Sequence, residues 1–140
     1  AYLNVVAVGP NVDGQTEAER IRCAVSKLHQ QNVDKWIIDL RYNGGGNINL
    51  MLAGLAPLLD TKTVASIQDA GGEFGVTAQI KKGNFYYAGR NVFKIKKSSK
   101  IKNPKIVILT SRWTISSGEL VAVDFKGQKN RVFIGEGTAG

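Results

Sequence analysis

Two groups of residues in this chain have types and spacing suited to chemistry: a pair of serines, Ser116 and Ser117, and the run Asn43-Gly44-Gly45-Gly46 far upstream. The serines lie within residues 106–120 (IVILTSRWTISSGEL), where a β-branched run passes through a polar turn into a helix start. A serine at a helix N-terminus gains from the dipole and from the unsatisfied amides there. Ser116 is therefore the candidate nucleophile, and the amide of Ser117 half of an oxyanion hole. The competing reading of Ser116 is an ordinary helix cap, a position serine often takes. The glycine run closes residues 36–46 and supplies backbone amides that no Cβ obstructs. Strand, glycine turn and helix start together present amides to an anion. A phosphate satisfies that description as well as an oxyanion does, but the Lys-Ser/Thr of a P-loop and the spacing of a dinucleotide fingerprint are missing. Two converging amides are worth a few kcal/mol to a tetrahedral oxyanion. What the residues do not supply is a base. The single histidine, His29, falls in the last turn of a predicted helix and reads as a boundary residue beside the negative helix end.

The elements that position these residues follow from periodicity. Residues 2–8 (YLNVVAV) predict a strand ended by Gly9-Pro10, and residues 15–31 an amphipathic helix with Ala18, Ile21, Val25 and Leu28 on its apolar face. Cys23 reads as a small filler within that helix. Residues 35–41 (KWIIDLR) and 105–110 read as buried strands of a parallel sheet, nearly continuous in apolar side chains. Each leads into a helix, residues 47–59 after the first and 116–125 after the second, and residues 131–134 make a closing strand. Between them, residues 61–68, 75–80, 84–87 and 91–96 predict antiparallel hairpins, a flap-like excursion over 61–96. Phe85, Tyr86, Tyr87 and Phe93 pack this hairpin region or line a groove against it. The alternation of strands and helices argues an α/β domain with a mostly parallel sheet.

At 140 residues, 43% hydrophobic and 21% charged, the chain has the composition of one globular domain. No apolar run reaches the roughly 18 residues of a membrane span. One cysteine excludes an internal disulfide and a cysteine-based metal site. The net charge of +8 is uneven: residues 1–70 carry 6 Lys/Arg against 7 Asp/Glu, residues 71–140 carry 13 against 4. Lys94, Lys96, Lys97, Lys100, Lys102 and Lys105 form one basic stretch, read as a solvated hairpin and loop since no aromatic recognition pattern accompanies it. The chain opens directly on a strand-like run without an initiator methionine, which suggests a processed or truncated polypeptide.

In order and spacing, DLRYNGGG at 39–46, TISSGE at 114–119 and IGEGTAG at 134–140 resemble the C-terminal processing (tail-specific) serine protease family, and within it the nisin-resistance-like branch. The resemblance covers nearly the whole chain. It implies a Clp-protease/crotonase-like spiral core, with 1–140 as a single protease core domain, and a serine endopeptidase acting through an acyl-enzyme on Ser116. It implies Ser117 and a glycine of the turn, Gly45 or its neighbour Gly44, as oxyanion donors. Asp39 and Arg41 are then scaffold, and Glu119 positions the nucleophile turn. The family's base is a lysine following the last motif or, in the Ser-His branch, a histidine before the first core strand. Both positions fall outside residues 1–140, so this fragment alone is expected to be inactive. The resemblance further implies peptide or protein substrates bound by strand addition, no cofactor, no metal, no nucleic acid, an extracytoplasmic location, and membrane contact only through segments outside these residues. A catalytically dead peptide-binding module of the same fold is the alternative. A binder of anionic polymers or surfaces driven by the basic half is a third, and it predicts binding that weakens steeply with salt.

Overall fold

The computed structural model describes residues 1–60, 63–68, 70–72, 75–81, 84–94 and 100–140. In chain order the elements are β1 (Tyr2–Asn4), α1 (Gly14–Gln30), β2 (Lys35–Asp39), α2 (Ile48–Leu55), a 3-10 turn (Ala56–Leu58), β3 (Thr63–Gln68), β4 (Gly75–Lys81), β5 (Asn84–Tyr87), β6 (Arg90–Lys94), β7 (Lys105–Thr110), α3 (Ser117–Lys126) and β8 (Arg131–Gly135). They make two four-stranded sheets: β1-β2-β7-β8, parallel throughout, and the antiparallel meander β3-β4-β5-β6. The α/β class, the mostly parallel sheet and the hairpin excursion are those expected of the sequence.

Local chemistry explains where the elements begin and end. Asp13 caps α1 by accepting from the amides of Gln15 and Thr16, and Asn47 caps α2 through Asn49 and Leu50. Pro57 closes α2 early and leaves a 3-10 turn where a longer helix was expected. The first strand is also shorter than expected. After Val5 donates to the Asp39 carbonyl at 3.0 Å the pairing lapses, and it resumes as a bridge between Val8 and Gly46.

Trp36 and Ile38 of β2 and Ile106 and Ile108 of β7 are buried with Ile21, Val25, Leu50, Leu52, Val121 and Phe125 of the helices. The opposite sheet face, with Tyr2, Ile37, Val132 and Ile134, is exposed, so the strands alternate where two buried faces were expected. The apolar stripe of α1 holds Ala18, Ile21 and Val25 as expected, but Cys23 faces solvent and Arg22 is buried in its place. Helical spacing accounts for this, since residue 22 lies on the flank of Ala18 and Val25 and residue 23 does not. Burial lowers the pKa of the Arg22 guanidinium.

The excursion contributes to the same core through Ala78, Phe85 and Phe93. The two phenylalanine rings lie 6.2 Å apart on the paired strands β5 and β6, while Tyr86 and Tyr87 are half-buried. Of the basic stretch, Lys94, Lys100, Lys102 and Lys105 are exposed, and Lys96 and Lys97 lie outside the described residues. Lys100 Nζ donates to the Asp60 carbonyl at 2.6 Å. No helix of the described residues is long and apolar enough to cross a membrane.

Candidate active site

Both candidate turns leave the carboxyl ends of neighbouring strands. The register of β2 and β7 pairs Asp39 with Leu109, so whatever follows these residues is carried side by side, starting from a strand spacing of about 4.8 Å. The first turn is anchored by the buried Asp39. Its carboxylate accepts from Arg41 Nη2 at 2.7 Å, from Arg41 Nε and the Arg41 amide at 3.0 Å each, and from the Tyr2 hydroxyl at 2.5 Å. The Arg41 hydrogen bonds outweigh burial and hold the carboxyl at about 2. Asp39 and Arg41 thus satisfy each other, which is a scaffold's use of charge.

Asn43, fully buried, joins the first turn to its surroundings. Its Nδ2 donates to the Val5 carbonyl at 2.9 Å and approaches Met51 Sδ at 3.4 Å, and its Oδ1 accepts the Gly45 amide at 3.0 Å. Its carbonyl accepts the Ile115 amide at 3.0 Å, one residue before Ser116. Three side chains add cross-links between the turns: Thr114 Oγ1 donates to the Leu40 carbonyl at 2.8 Å, Ser117 Oγ to the Gly46 carbonyl at 2.6 Å, and Ser111 Oγ to the Arg41 carbonyl. The turns touch at Gly118, where a Cβ would stand 2.4 Å from the Asn43 carbonyl oxygen.

Ser116 is exposed and sits at the N-cap position of α3 with φ 52° and ψ −122°. Residues other than glycine rarely adopt that conformation, and holding one there costs on the order of 1–3 kcal/mol. Its side chain makes no capping hydrogen bond, which removes the ordinary-cap reading. Instead it faces the first turn: a Cβ built on Gly45 would lie 3.0 Å from Ser116 Cβ and 3.3 Å from Ser116 Oγ. A serine on a sharp, strained strand-to-helix turn exposes its Oγ beside free helix amides. The Ser117 amide makes no hydrogen bond among the described residues. The two glycines divide differently from expectation. Gly45 lies against Ser116, but its amide is taken by Asn43 Oδ1; the Gly44 amide has no acceptor among the described residues.

The final motif runs back along the Ser116 turn. The Gly140 carbonyl accepts the Ser116 amide at 3.3 Å, the Thr114 carbonyl accepts Ala139 at 3.4 Å, and Thr138 Oγ1 donates to Glu119. Glu119 is thereby tied to this segment. His29 is not brought to the site. It ends α1, which leads into the amino end of β2, whereas Ser116 follows the carboxyl end of β7. No lysine or histidine hydrogen-bonds Ser116 Oγ among the described residues. Asn43 and Thr114 carried no assigned role in the sequence; the available signal was an asparagine immediately before a glycine run, which favours side-chain-bonded turns.

Comparison with known proteins gives this arrangement its class. The sequence model of peptidase family S41 matches residues 1–140, and the chain belongs to that family of serine peptidases. It is 36% identical over 115 residues to the nisin-resistance protein of Lactococcus lactis subsp. lactis, covering 82% of this chain and 36% of that protein. Among solved structures it is similar to a lipoprotein from Streptococcus agalactiae (TM-score 0.76, 26% identity, 99% of this chain and 46% of that one). It also shares its fold with the photosystem II D1 C-terminal processing protease (TM-score 0.67, 24% identity, 99% of this chain and 31% of that one). The chain thus spans well under two thirds of each of these proteins.

Proposed function

We propose that residues 1–140 are the nucleophile-bearing core of a serine endopeptidase that cleaves extended peptides or protein C-terminal tails. The observation that carries this reading is the strained, uncapped, exposed Ser116 held against the glycine turn. Ser116 Oγ attacks the scissile carbonyl and gives its proton to a base. The carbonyl oxygen becomes an oxyanion between the amides of Ser117 and Gly44, with Gly45 the alternative second donor once its bond to Asn43 is released. Collapse expels the amine of the downstream peptide and leaves the acyl-enzyme, which water hydrolyses. The base is a lysine or histidine outside residues 1–140, in keeping with the share of its relatives that this chain spans. The likeness to a nisin-resistance protein and to a lipoprotein supports an extracytoplasmic location, with any membrane contact made by other segments.

A serine-directed fluorophosphonate probe tests this, applied to the full-length polypeptide and to residues 1–140 alone, with the adduct located by mass spectrometry. Labelling of Ser116 in the longer protein and not in the shorter is the expected result. A folded full-length protein that does not label at Ser116 overturns the peptidase reading in favour of a peptide-binding module.

A further inference from the structure

A cavity of about 180 Å³ opens between the two site helices and the antiparallel sheet. Its walls are mostly apolar, with Ile48 at the start of α2, Val76 and Ala78 of β4, and Leu120 and Val123 of α3; Asn49, Ser66 and Tyr87 join them. Leu120 and Val123 are largely exposed although apolar. Asp124 also lines the cavity. Among the described residues its Oδ2 is buried without a hydrogen-bond partner and the carboxyl has no ion-pair partner. A carboxylate left so among apolar walls is costly unless a donor or cation meets it. Burial accordingly pushes the Asp124 carboxyl up to about 7.

Position ties the cavity to the reacting atoms. Ser116 stands at the N-cap of α3, and Leu120 and Asp124 follow within the helix, four residues apart on one face. Eight residues of helix rise about 12 Å, and a helical side chain leans back toward the N-terminus. A side chain entering from an acyl group on Ser116 therefore passes Leu120 before it meets Asp124. A short aliphatic residue reaches the apolar walls and leaves the carboxyl alone. A long side chain with an apolar stem and a cationic head fills the walls with its methylenes and pairs its head with the carboxylate.

We propose that this cavity receives the substrate side chain on the acyl side of the scissile bond, and that Asp124 selects lysine or arginine there. The proposal rests on the peptidase reading above. Asp124 touches the substrate side chain and not the reacting carbonyl, so it determines specificity and takes no part in the chemical step.

The test uses the full-length protein and a peptide series that varies only the residue before the scissile bond, with lysine, arginine, leucine and alanine, each run beside fluorophosphonate labelling of Ser116. The expected result is preferred cleavage after lysine and arginine, with the lysine-to-leucine ratio of kcat/KM falling about 30- to 100-fold in Asp124→Asn, as loss of a charge-assisted hydrogen bond predicts. Asp124→Leu serves as the second variant. It is expected to lose the same ratio while melting no lower than the parent, because it removes an unpaired buried carboxyl. Labelling of Ser116 with no basic preference, or with a ratio that neither variant changes, overturns the cavity assignment and leaves the peptidase reading standing. Absence of labelling in the folded protein overturns the peptidase reading, and the cavity assignment with it.

Discussion

The molecule makes the same construction twice, strand, turn and helix, and holds it together by different means each time. After β2 the chain turns through Gly45 and Gly46, at φ 103° and 109°, and enters a helix capped by Asn47. Glycine takes positive φ without steric cost and the cap satisfies orphan amides, so this turn is relaxed. After β7 the chain turns through Ser116 at φ 52° and enters a helix that no side chain caps. Here the backbone is strained and the first helix amide, that of Ser117, has no acceptor among the described residues. A glycine would have removed the strain, but it has no hydroxyl. The difference teaches that the second turn is organised around a side chain and the first around a close backbone approach. The relaxed turn also supports the strained one, since Asn43 and Leu40 accept hydrogen bonds from Ile115 and Thr114.

The largest expected effect breaks the second turn's chemistry and leaves its structure intact. Ser116→Ala in the full-length protein should lower peptide hydrolysis by about 10⁴-fold or more, with the melting temperature unchanged within about 2 °C, because no cap is lost. Next comes the contact between the turns. Gly118→Ala places a methyl 2.4 Å from the Asn43 carbonyl oxygen and should destabilise the protein by about 3 kcal/mol, read from urea denaturation. Charge separates the turns as well. Asp39, held at about 2 from its usual 3.8 chiefly by Arg41, anchors only the first. Its unfolded form binds a proton more readily, so the stability it provides is present above about pH 4 and is lost as the pH falls toward 2. With Arg41 half exposed to solvent, the loss should be about 1 kcal/mol, and denaturation curves across that range should show it in the parent and not in Asp39→Asn. The smallest pair tests the caps. Asn47→Ala should cost about 1 kcal/mol, while Ser116→Gly should stabilise by about 1 kcal/mol, strain relief offsetting the greater freedom of glycine in the unfolded chain. A Ser116→Gly protein less stable than the parent would mean that the second turn is not strained.

How much of this was legible in the sequence depended on how local the cause was. The strand β7 has the bounds expected of it, because Pro104 and a β-branched run set them within a few residues. Asn47 and Pro57 fixed the ends of α2 by equally local means, although the shortening caused by Pro57 was not foreseen. The strain at Ser116 could not be read, since a serine before a helix looks like a cap until its φ is known. Asn43 was equally opaque: its side chain meets Val5 and Met51, and its backbone meets Ile115, partners brought near only by the parallel register. Arg22 and Cys23 show the limit of periodicity, which finds the apolar face and leaves the flank to packing. Asp124 drew no reading from the sequence, because the cavity it lines takes most of its other walls from the meander and the start of α2.

The placement of the meander has a consequence for how this scaffold can vary. It enters between α2 and β7, so strands that are neighbours in the parallel sheet are joined by a connection running from Asp39 to Lys105. The entropy of closing such a connection grows only with the logarithm of its length, about 0.6 kcal/mol for each doubling. The connection can thus change in length at little entropic cost, provided Ala78, Phe85 and Phe93 keep their places in the core, while the alignment of the glycine turn with the serine turn is fixed by a register the hairpins take no part in. The length of the hairpins facing α3 is therefore free to vary without disturbing the turn that carries Ser116.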